Sequence, residues 1–390
     1  MVSSESSNSF RTHNKNQDET MKIKTYIALL LVIIAFVSCF DGGRVSHRGE
    51  KTMAWTLSAI DSIVINDDSA SWSGSYFDVS DKLGFFDEKT NKVSLYNWKT
   101  GNLIKRALDK GHARNELADW SVASGIIGDK DKIAIYSANI FLIYDIKKDT
   151  LINYGFVNFG YGSQVNKLDY ESPVIYKVCY MDIFRVDSNT VMFPLAHNHD
   201  SMEGWYENSH IWGYYNYEEK KFTKLVGNLP EYYYHHPVPL FERFASCKMK
   251  DKYVTTHVLD SMIYVHGSPD NTSYSFGYEA NNADRIYHCK ENDMFDATNA
   301  MKDDDRMTKN VSLLYSESLN CILRTCVTGS GDNSLTTVQL YDMETCDLVA
   351  EKNFPGMLDF IHCKENVFYG VNTVPHGTEN YIYTFKVRKP

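Results

Sequence analysis

The sequence predicts an all-β protein, a six-bladed β-propeller whose ring is closed by the N-terminal strand joining the C-terminal blade. Three observations predict it. Aromatic residues make up 14% of the chain, with 27 tyrosines and 20 phenylalanines, and flat rings suit the pleated, half-buried surface of strands. A hairpin pattern recurs along the chain, the mark of a repeat architecture. Helical periodicity is nearly absent, its one short candidate being Asn292 to Met301. Without helices to cover a sheet, a ring of small sheets is the arrangement that protects strand edges.

Residues 1–20 are polar and lack an apolar period, and are expected to be a non-native extension upstream of Met21. Met21-Lys22-Ile23-Lys24 is a basic stretch, and Ile27 to Val37 an apolar one of roughly a dozen residues, the layout of a signal peptide. A membrane-spanning helix needs about 20. The run ends in Phe36-Val37-Ser38-Cys39. Small Ser38 before Cys39 resembles the lipobox of bacterial lipoproteins, with Phe36 where leucine is usual. That resemblance implies a lipoprotein signal peptide over 21–39, lipidation of Cys39, and a mature chain that begins there. A linker is expected over 40–52 and the propeller over 53–390.

The repeat is read from four hairpins. Tyr96-Asn97 leads to Leu103, Tyr144-Asp145 to Leu151, Tyr215-Asn216 to Phe222, and Tyr341-Asp342 to Leu348, each at the same spacing. An apolar strand, a polar turn and a second alternating strand make a β-hairpin. Asn or Asp at the turn entry can bond the backbone two residues on. Tyr264 and Tyr383 mark two weaker copies. Blade one is expected from about Ser73 to Leu108, blade two from Trp120 to Phe156, and blade three from Tyr180 to Val226. Blade four runs from Phe241 to Glu279 and blade five from Val311 to Phe354. Blade six, from Met357, supplies only three strands, the last being Tyr381 to Val387. The strand "WTLSAIDSIVI" has no hairpin of its own, so it is expected to complete blade six. Gly160 to Lys177 and Ala280 to Lys309 read as insertions.

The lipobox, the six-blade pattern and the Tyr-Asp hairpins together resemble the six-bladed, TolB-like β-propeller lipoproteins of Bacteroides-type bacteria, including a related domain family of unknown function. The resemblance covers roughly residues 53–390. Family members often carry a Gly-x-Gly-Pro-Asn-Glu-like stretch after the first blade. Here "KGHARNEL" keeps Gly111, Asn115 and Glu116 and has Ala113 and Arg114 in place of Gly-Pro. The resemblance implies an outer-membrane lipoprotein and brings no established activity.

Topology gathers the candidate site residues. In a four-stranded antiparallel blade (strands a to d), the a–b and c–d turns share one face of the disc. The b–c loops and the d–a crossings share the other. Ala196 to Ser209 is a b–c loop, "PEYYYHHPVP" and "KGHARNEL" are crossings, and "TVPHGTEN" is a b–c loop. His112, His197, His199, Trp205, Tyr232, Tyr233, Tyr234, His235, His236 and His376 are therefore expected on one loop-rich face. The aromatic rings suit sugar stacking or a protein interface, set against packing within and between blades, which must absorb most tyrosines.

"HNHD" poses the rival reading. His197 and His199 project to one side if the strand persists, as a metal pair must, with Asp200, His235 or His236 as further donors. The motif is similar to the strand-end His-x-His of amidohydrolases, but the βα barrel that motif belongs to is missing. The metallo-β-lactamase pattern needs an Asp two places beyond the second His, where Ser201 stands. The plainer reading is the wet end of a β-strand.

Other chemistry lacks its motifs. No GxSxG elbow serves a serine nucleophile, and no GxxxxGK[ST] loop cradles phosphates. "TGSGD" (Thr328 to Asp332) reads as a tight hairpin. "KDDDR" (Lys302 to Arg306) lacks the alternating acids of a calcium loop. The net charge of −10 excludes a nucleic acid partner. Of eight cysteines, those after Cys39 form no CxxC, so zinc ribbons and disulfide frameworks are poorly supported. Cys321 and Cys326 are expected to face opposite sides of one strand. No cofactor is expected. The function expected is binding of a partner protein, or of a glycan or peptide, at the loop-rich face; a metal-assisted hydrolase on that face is the alternative.

Overall fold

β1 (His47–Arg48) and β2 (Thr56–Ile65) come first in the chain but complete sheets that form later. A computed structural model describes residues 47–390, apart from 88, 91, 112, 114, 118–122, 130–131, 138–139, 157–182, 196–209, 236–242, 269–270, 282, 285–301, 303–304 and 374–379. Blade one is β3 (Gly74–Val79), β4 (Lys82–Asp87), β5 (Lys92–Asn97) and β6 (Leu103–Lys110), with β7 (Glu116–Leu117) parallel on its outer edge. Blade two is β8 (Ala123–Asp129), β9 (Lys132–Ser137), β10 (Ile140–Asp145) and β11 (Thr150–Phe156). Blade three is β12 (Phe184–Arg185), β13 (Thr190–Pro194), β14 (His210–Asn216) and β15 (Lys221–Asn228). A one-turn helix, α1 (Glu231–His235), follows.

Blade four is β16 (Phe244–Met249), β17 (Lys252–His257), β18 (Ile263–Ser268) and β19 (Asn271–Phe276). Blade five is β20 (Thr308–Ser316), β21 (Cys321–Thr328), β22 (Leu335–Asp342) and β23 (Leu348–Pro355). Blade six is β24 (Leu358–Lys364), β25 (Val367–Asn372) and β26 (Asn380–Arg388). Its fourth strand is β2, antiparallel to β26 from Thr56↔Arg388 to Ile65↔Asn380. The six antiparallel sheets form a six-bladed propeller, closed by the N-terminal strand as the sequence predicts.

Contacts of β3 with β8, β16 with β20, β20 with β24 and β24 with β3 bring first strands of consecutive blades together. These strands therefore line the axis. An apolar cluster fills every seam. Trp212, Phe244 and Tyr253 lie between blades three and four, and Leu323, Leu358 and Phe360 between five and six. Each such side chain contributes about 1.5–3 kcal/mol by leaving water.

The four hairpins are built alike. Tyr96, Tyr144, Tyr215 and Tyr341 are fully buried near the ends of third strands. The next residue's side chain then accepts backbone N–H groups inside the turn: Asn97 from Lys99, Asp145 from Lys147, Asn216 from Glu218 and Asp342 from Glu344. Five places after each tyrosine the chain turns left-handed, at Gly101 (φ 68°), Asp149 (φ 53°), Lys220 (φ 55°) and Cys346 (φ 66°). At Gly101 a side chain is impossible, since a Cβ would meet the Val64 carbonyl oxygen at 1.8 Å. The weaker copies differ. Tyr264 opens its strand instead of closing it, and Tyr383 lies within β26, whose hairpin partner comes from the other end of the chain.

Several expected boundaries move. Blade five begins at Thr308, so the insertion expected to end at Lys309 stops short of it. Within the linker expected over 40–52, the described residues from His47 onward pair with the blades. β1 lies parallel on β19, the Glu50 amide donates to Asp347 at 2.6 Å, and the Thr52 amide to the Leu348 carbonyl at 3.0 Å. Unpaired edges of outer strands attract such segments. The starts expected at Trp120, Tyr180 and Phe241, the Gly160–Lys177 insertion and the Asn292–Met301 helix lie outside the described residues, as do 1–46. Cys321 and Cys326 share β21 and face opposite seams. Among the described residues, Cys247, Cys321, Cys326, Cys346 and Cys363 form no disulfide with one another.

Candidate functional site

The strand order assigns the predicted segments to the loop classes expected. Residues 196–209 join β13 to β14, 229–243 join β15 to β16, 111–122 join β6 to β8, and 373–379 join β25 to β26. All are b–c loops or d–a crossings, hence on one face. His112, His197, His199, Trp205, His236 and His376 lie outside the described residues, as does Cys39. His235 ends α1, and its side chain is also outside them.

Tyr232, Tyr233 and Tyr234 are described, and they do not act alike. Successive residues of a helix point about 100° apart, so three tyrosines cannot share one surface. Tyr233 turns inward and is fully buried. Its hydroxyl accepts the Leu259 amide at 3.3 Å, and its ring lies 5.6 Å from His257. The expectation of Tyr233 as a ligand-facing side chain is corrected: it belongs to the core. Tyr232 and Tyr234 are half-buried against the same cluster.

What Tyr233 supports is the b–c loop of blade four, Val258 to Met262. Blade five holds this loop from the other side. Asn310 donates its amide to the Val258 carbonyl at 3.0 Å, and its side-chain nitrogen to the carbonyls of His257 at 2.8 Å and Asp260 at 2.6 Å. Arg324 Nη1 donates to the Ser261 carbonyl at 2.5 Å. Inside the loop, Asp260 accepts the Met262 amide at 3.0 Å and the Tyr264 hydroxyl. Burial, then the Asp260 charge, pushes that phenol far above its ordinary range. The loop is thus held from both sides.

Arg324 is fully buried without a direct carboxylate partner among the described residues. It donates from Nε to Gln339 Oε1 at 2.9 Å and from Nη2 to the Tyr341 hydroxyl at 2.9 Å and the Tyr278 carbonyl. Gln339 donates to Glu351 at 2.6 Å, and Glu351 is 4.0 Å from Lys51 on the N-terminal segment. Cys326 completes the wall, donating to Asn310 Oδ1 at 3.1 Å.

Beneath the loop sit two buried histidines. Burial pushes His257 down to about 3, with His266 adding to it, and burial pushes His266 down to about 4. His266 pairs with the Thr255 hydroxyl at 3.0 Å, and Trp212 stands edge-on to it at 5.2 Å. Among the described residues His257 Nδ1, Trp212 Nε1 and Ser246 Oγ have no hydrogen-bond partner. At neutral pH both imidazoles are uncharged and out of solvent's reach, which suits packing and not proton transfer. Among the described residues no group of three or more His, Cys, Asp or Glu side chains can hold a metal ion.

On the opposite face, His362 Nδ1 meets Asp78 at 2.7 Å and stacks on Trp98 at 5.1 Å. This contact ties blade six to blade one where the ring closes. Across the loop-rich face, the crossing from β2 to β3 is held by Arg106, paired with Asp67 at 2.7 Å. Burial opposes this pairing, but bonds from Arg106, Tyr96 and Ser69 outweigh it and bring the Asp67 carboxyl down to about 2.

Asp260, His257, Asn310 and Arg324 are absent from the sequence reading. Arg324 sits inside an apolar run and His257 beside Val258 and Leu259, whereas Asp260 and Asn310 have polar neighbours and carried no such signal. For those two the signal was there in "CILRTCV" and "VTTHVLD": a polar side chain in a strand buried on both faces.

No family model matches the chain, and no curated protein matches it in sequence. Solved structures share its fold, two of them from Bacteroides. A member of the DUF4221 family from Bacteroides vulgatus ATCC 8482 superposes with a TM-score of 0.65 at 11% identity, covering 87% of this chain and 100% of that one. A protein described as exported, from Bacteroides fragilis NCTC 9343, superposes with a TM-score of 0.51 at 12% identity, covering 88% and 99%.

Proposed function

We propose that the chain is an exported envelope protein of the DUF4221 type, held at the outer membrane by lipid on Cys39, whose propeller binds a partner protein or a glycan or peptide ligand. The ligand docks on the loop-rich face over blades three to five. The observation that carries this reading is the Val258–Met262 loop, clamped by Asn310 and Arg324 on one side and by Tyr233 on the other. Val258, Leu259 and Asp260 are buried, so the loop is the frame beneath the face, and a face held on a frame fixed in advance loses little entropy when it binds. Tyr232 and Tyr234 border it with flat, half-exposed rings. The signal-like segment over 21–39 and the exported neighbour from Bacteroides fragilis support an envelope location.

Photo-crosslinking in cells tests the binding face. A benzophenone side chain at position 232 or 234 should give a discrete adduct, and one at Lys99, on the opposite face, should not. Equal adducts at all three positions sink the reading. Cys39→Ala should move the protein from the membrane fraction to the soluble fraction; retention in the membrane removes the lipid anchor.

A further inference from the structure

Residues 47–55 run along the outer edges of blades four and five before the chain enters blade six as β2. β1 pairs in parallel with β19. The Tyr278 hydroxyl donates to the Gly49 carbonyl at 2.9 Å. The Leu348 amide donates to the Glu50 carbonyl at 2.8 Å. The amides of Thr52 and Met53 donate to the Leu348 carbonyl at 3.0 and 3.1 Å, and that of Trp55 to the Val349 carbonyl at 2.8 Å. Gly49 is where this strap comes closest to blade five. Its backbone is left-handed (φ 87°), and a Cβ there would meet the Cys346 carbonyl oxygen at 2.0 Å. Only glycine lets the strap lie in this position. A segment held this way opens locally at a lower free energy than the blades themselves, so it has two states, docked and released.

From the strap, two hydrogen-bonded paths cross blade five to the Val258–Met262 loop. The first starts at Lys51, 4.0 Å from the carboxylate of Glu351, whose side chain is only 1% exposed. Lys51 also donates to Asn281 Oδ1 at 3.2 Å, and the Asn281 amide donates to Glu351 at 3.3 Å. A carboxylate out of water must draw its hydrogen bonds from protein donors. Glu351 takes the Gln339 side-chain amide at 2.6 Å, which leaves Gln339 Oε1 turned to Arg324 Nε at 2.9 Å. Arg324 then holds the Ser261 carbonyl of the loop. The second path starts at Gly49. Tyr278, bonded to it, accepts Arg324 at its carbonyl, and its amide donates at 3.1 Å to the Tyr341 hydroxyl that Arg324 also holds. We propose that the strap 47–55 is a latch, which when docked locks the Val258–Met262 loop through Glu351, Gln339 and Arg324, and when released loosens it. Release opens Glu351 to water, so Gln339 no longer has to serve it, and Arg324 loses the acceptors that aim it at Ser261. As that loop frames the proposed binding face, on which this role rests, the segment leading from Cys39 into the ring sets how firmly the face is held.

Amide hydrogen exchange of the full chain, read by mass spectrometry, tests the latch without any ligand. Gly49→Ala should undock the strap. Exchange should then rise about tenfold over residues 50–55 and over 258–262, and stay unchanged over β9 and β10 of blade two. A rise over 50–55 with none over 258–262 overturns the proposal. So does an equal rise over β9 and β10, which is general loosening. If 50–55 keeps its protection in Gly49→Ala, deletion of residues 47–53 removes the strap outright, and an unchanged loop in that variant overturns the latch. Should these variants fail to fold, Lys51→Met decides: exchange over 258–262 should quicken about threefold, and no change refutes the coupling. Crosslinking at positions 232 and 234 tests the binding face by a separate readout, so a failed latch and a failed binding face are told apart.

Discussion

Acidification from pH 7 to pH 5 is expected to weaken the ring through His257 and His266, and to do so by a predictable amount. Both titrate near 6.5 in an unfolded chain, and near 3 and 4 in the folded one. Between those values the folded state binds fewer protons than the unfolded state, so stability falls as the pH falls. Each pH unit below 6.5 costs about 1.4 kcal/mol per histidine, hence about 2 kcal/mol each at pH 5 and about 4 for the pair. Asp359 works in the opposite sense. Its carboxyl titrates near 7 folded and 3.8 unfolded, so the folded state binds more protons in that window and stability rises as the pH falls. That returns about 2 kcal/mol between pH 7 and pH 5, for a net loss of about 2. Urea denaturation at the two pH values measures it. His257→Phe keeps the ring shape and removes an unpartnered nitrogen. It should cut the acid loss by about 2 kcal/mol and leave stability at pH 7 equal or up to about 1 kcal/mol higher. Asp359→Asn should enlarge the acid loss by about 2 kcal/mol. If His257→Phe loses as much stability on acidification as the parent protein, burial of the imidazole is not the cause and the reasoning fails.

Arg324→Met should cost about 3–5 kcal/mol in urea denaturation, because the Ser261 and Tyr278 carbonyls and Gln339 lose their donor inside the core. The same variant should speed amide exchange across Val258–Met262, whereas unchanged protection there would show that Arg324 does not fix the loop. Lys220→Gly should stabilise the ring by about 0.5–1 kcal/mol, since a left-handed turn residue with a side chain carries strain that glycine lacks. A loss of stability in that variant would mean the Lys220 side chain itself holds the turn.

Much of the ring was legible in the sequence. The Tyr-Asn and Tyr-Asp hairpins are local: a tyrosine closes a strand, an adjacent carboxyl or amide captures the turn, and the pattern recurs where the blades recur. The closing strand was legible by arithmetic, because Thr56–Ile65 had no hairpin partner and blade six lacked a strand. The loop-rich face was legible in outline, since antiparallel order assigns every loop to one face or the other.

The site itself was less legible. "EYYYHH" reads as an aromatic display, yet one turn of helix sends Tyr233 into the core and leaves Tyr232 and Tyr234 at its rim. Asn310, Arg324 and Asp260 are far apart in the chain and meet only because blades four and five pack side by side. Asp359 looks like an ordinary strand carboxyl until packing of the blades buries it beside the Ser312 hydroxyl. Local rules of strand, turn and alternation decided the sheets and their order, because backbone pairing is settled within a few dozen residues. Which polar groups are buried together, and so which loop is held rigid and which carboxyl changes its protonation, was decided only at the seams, where side chains from separate blades share a space closed to water.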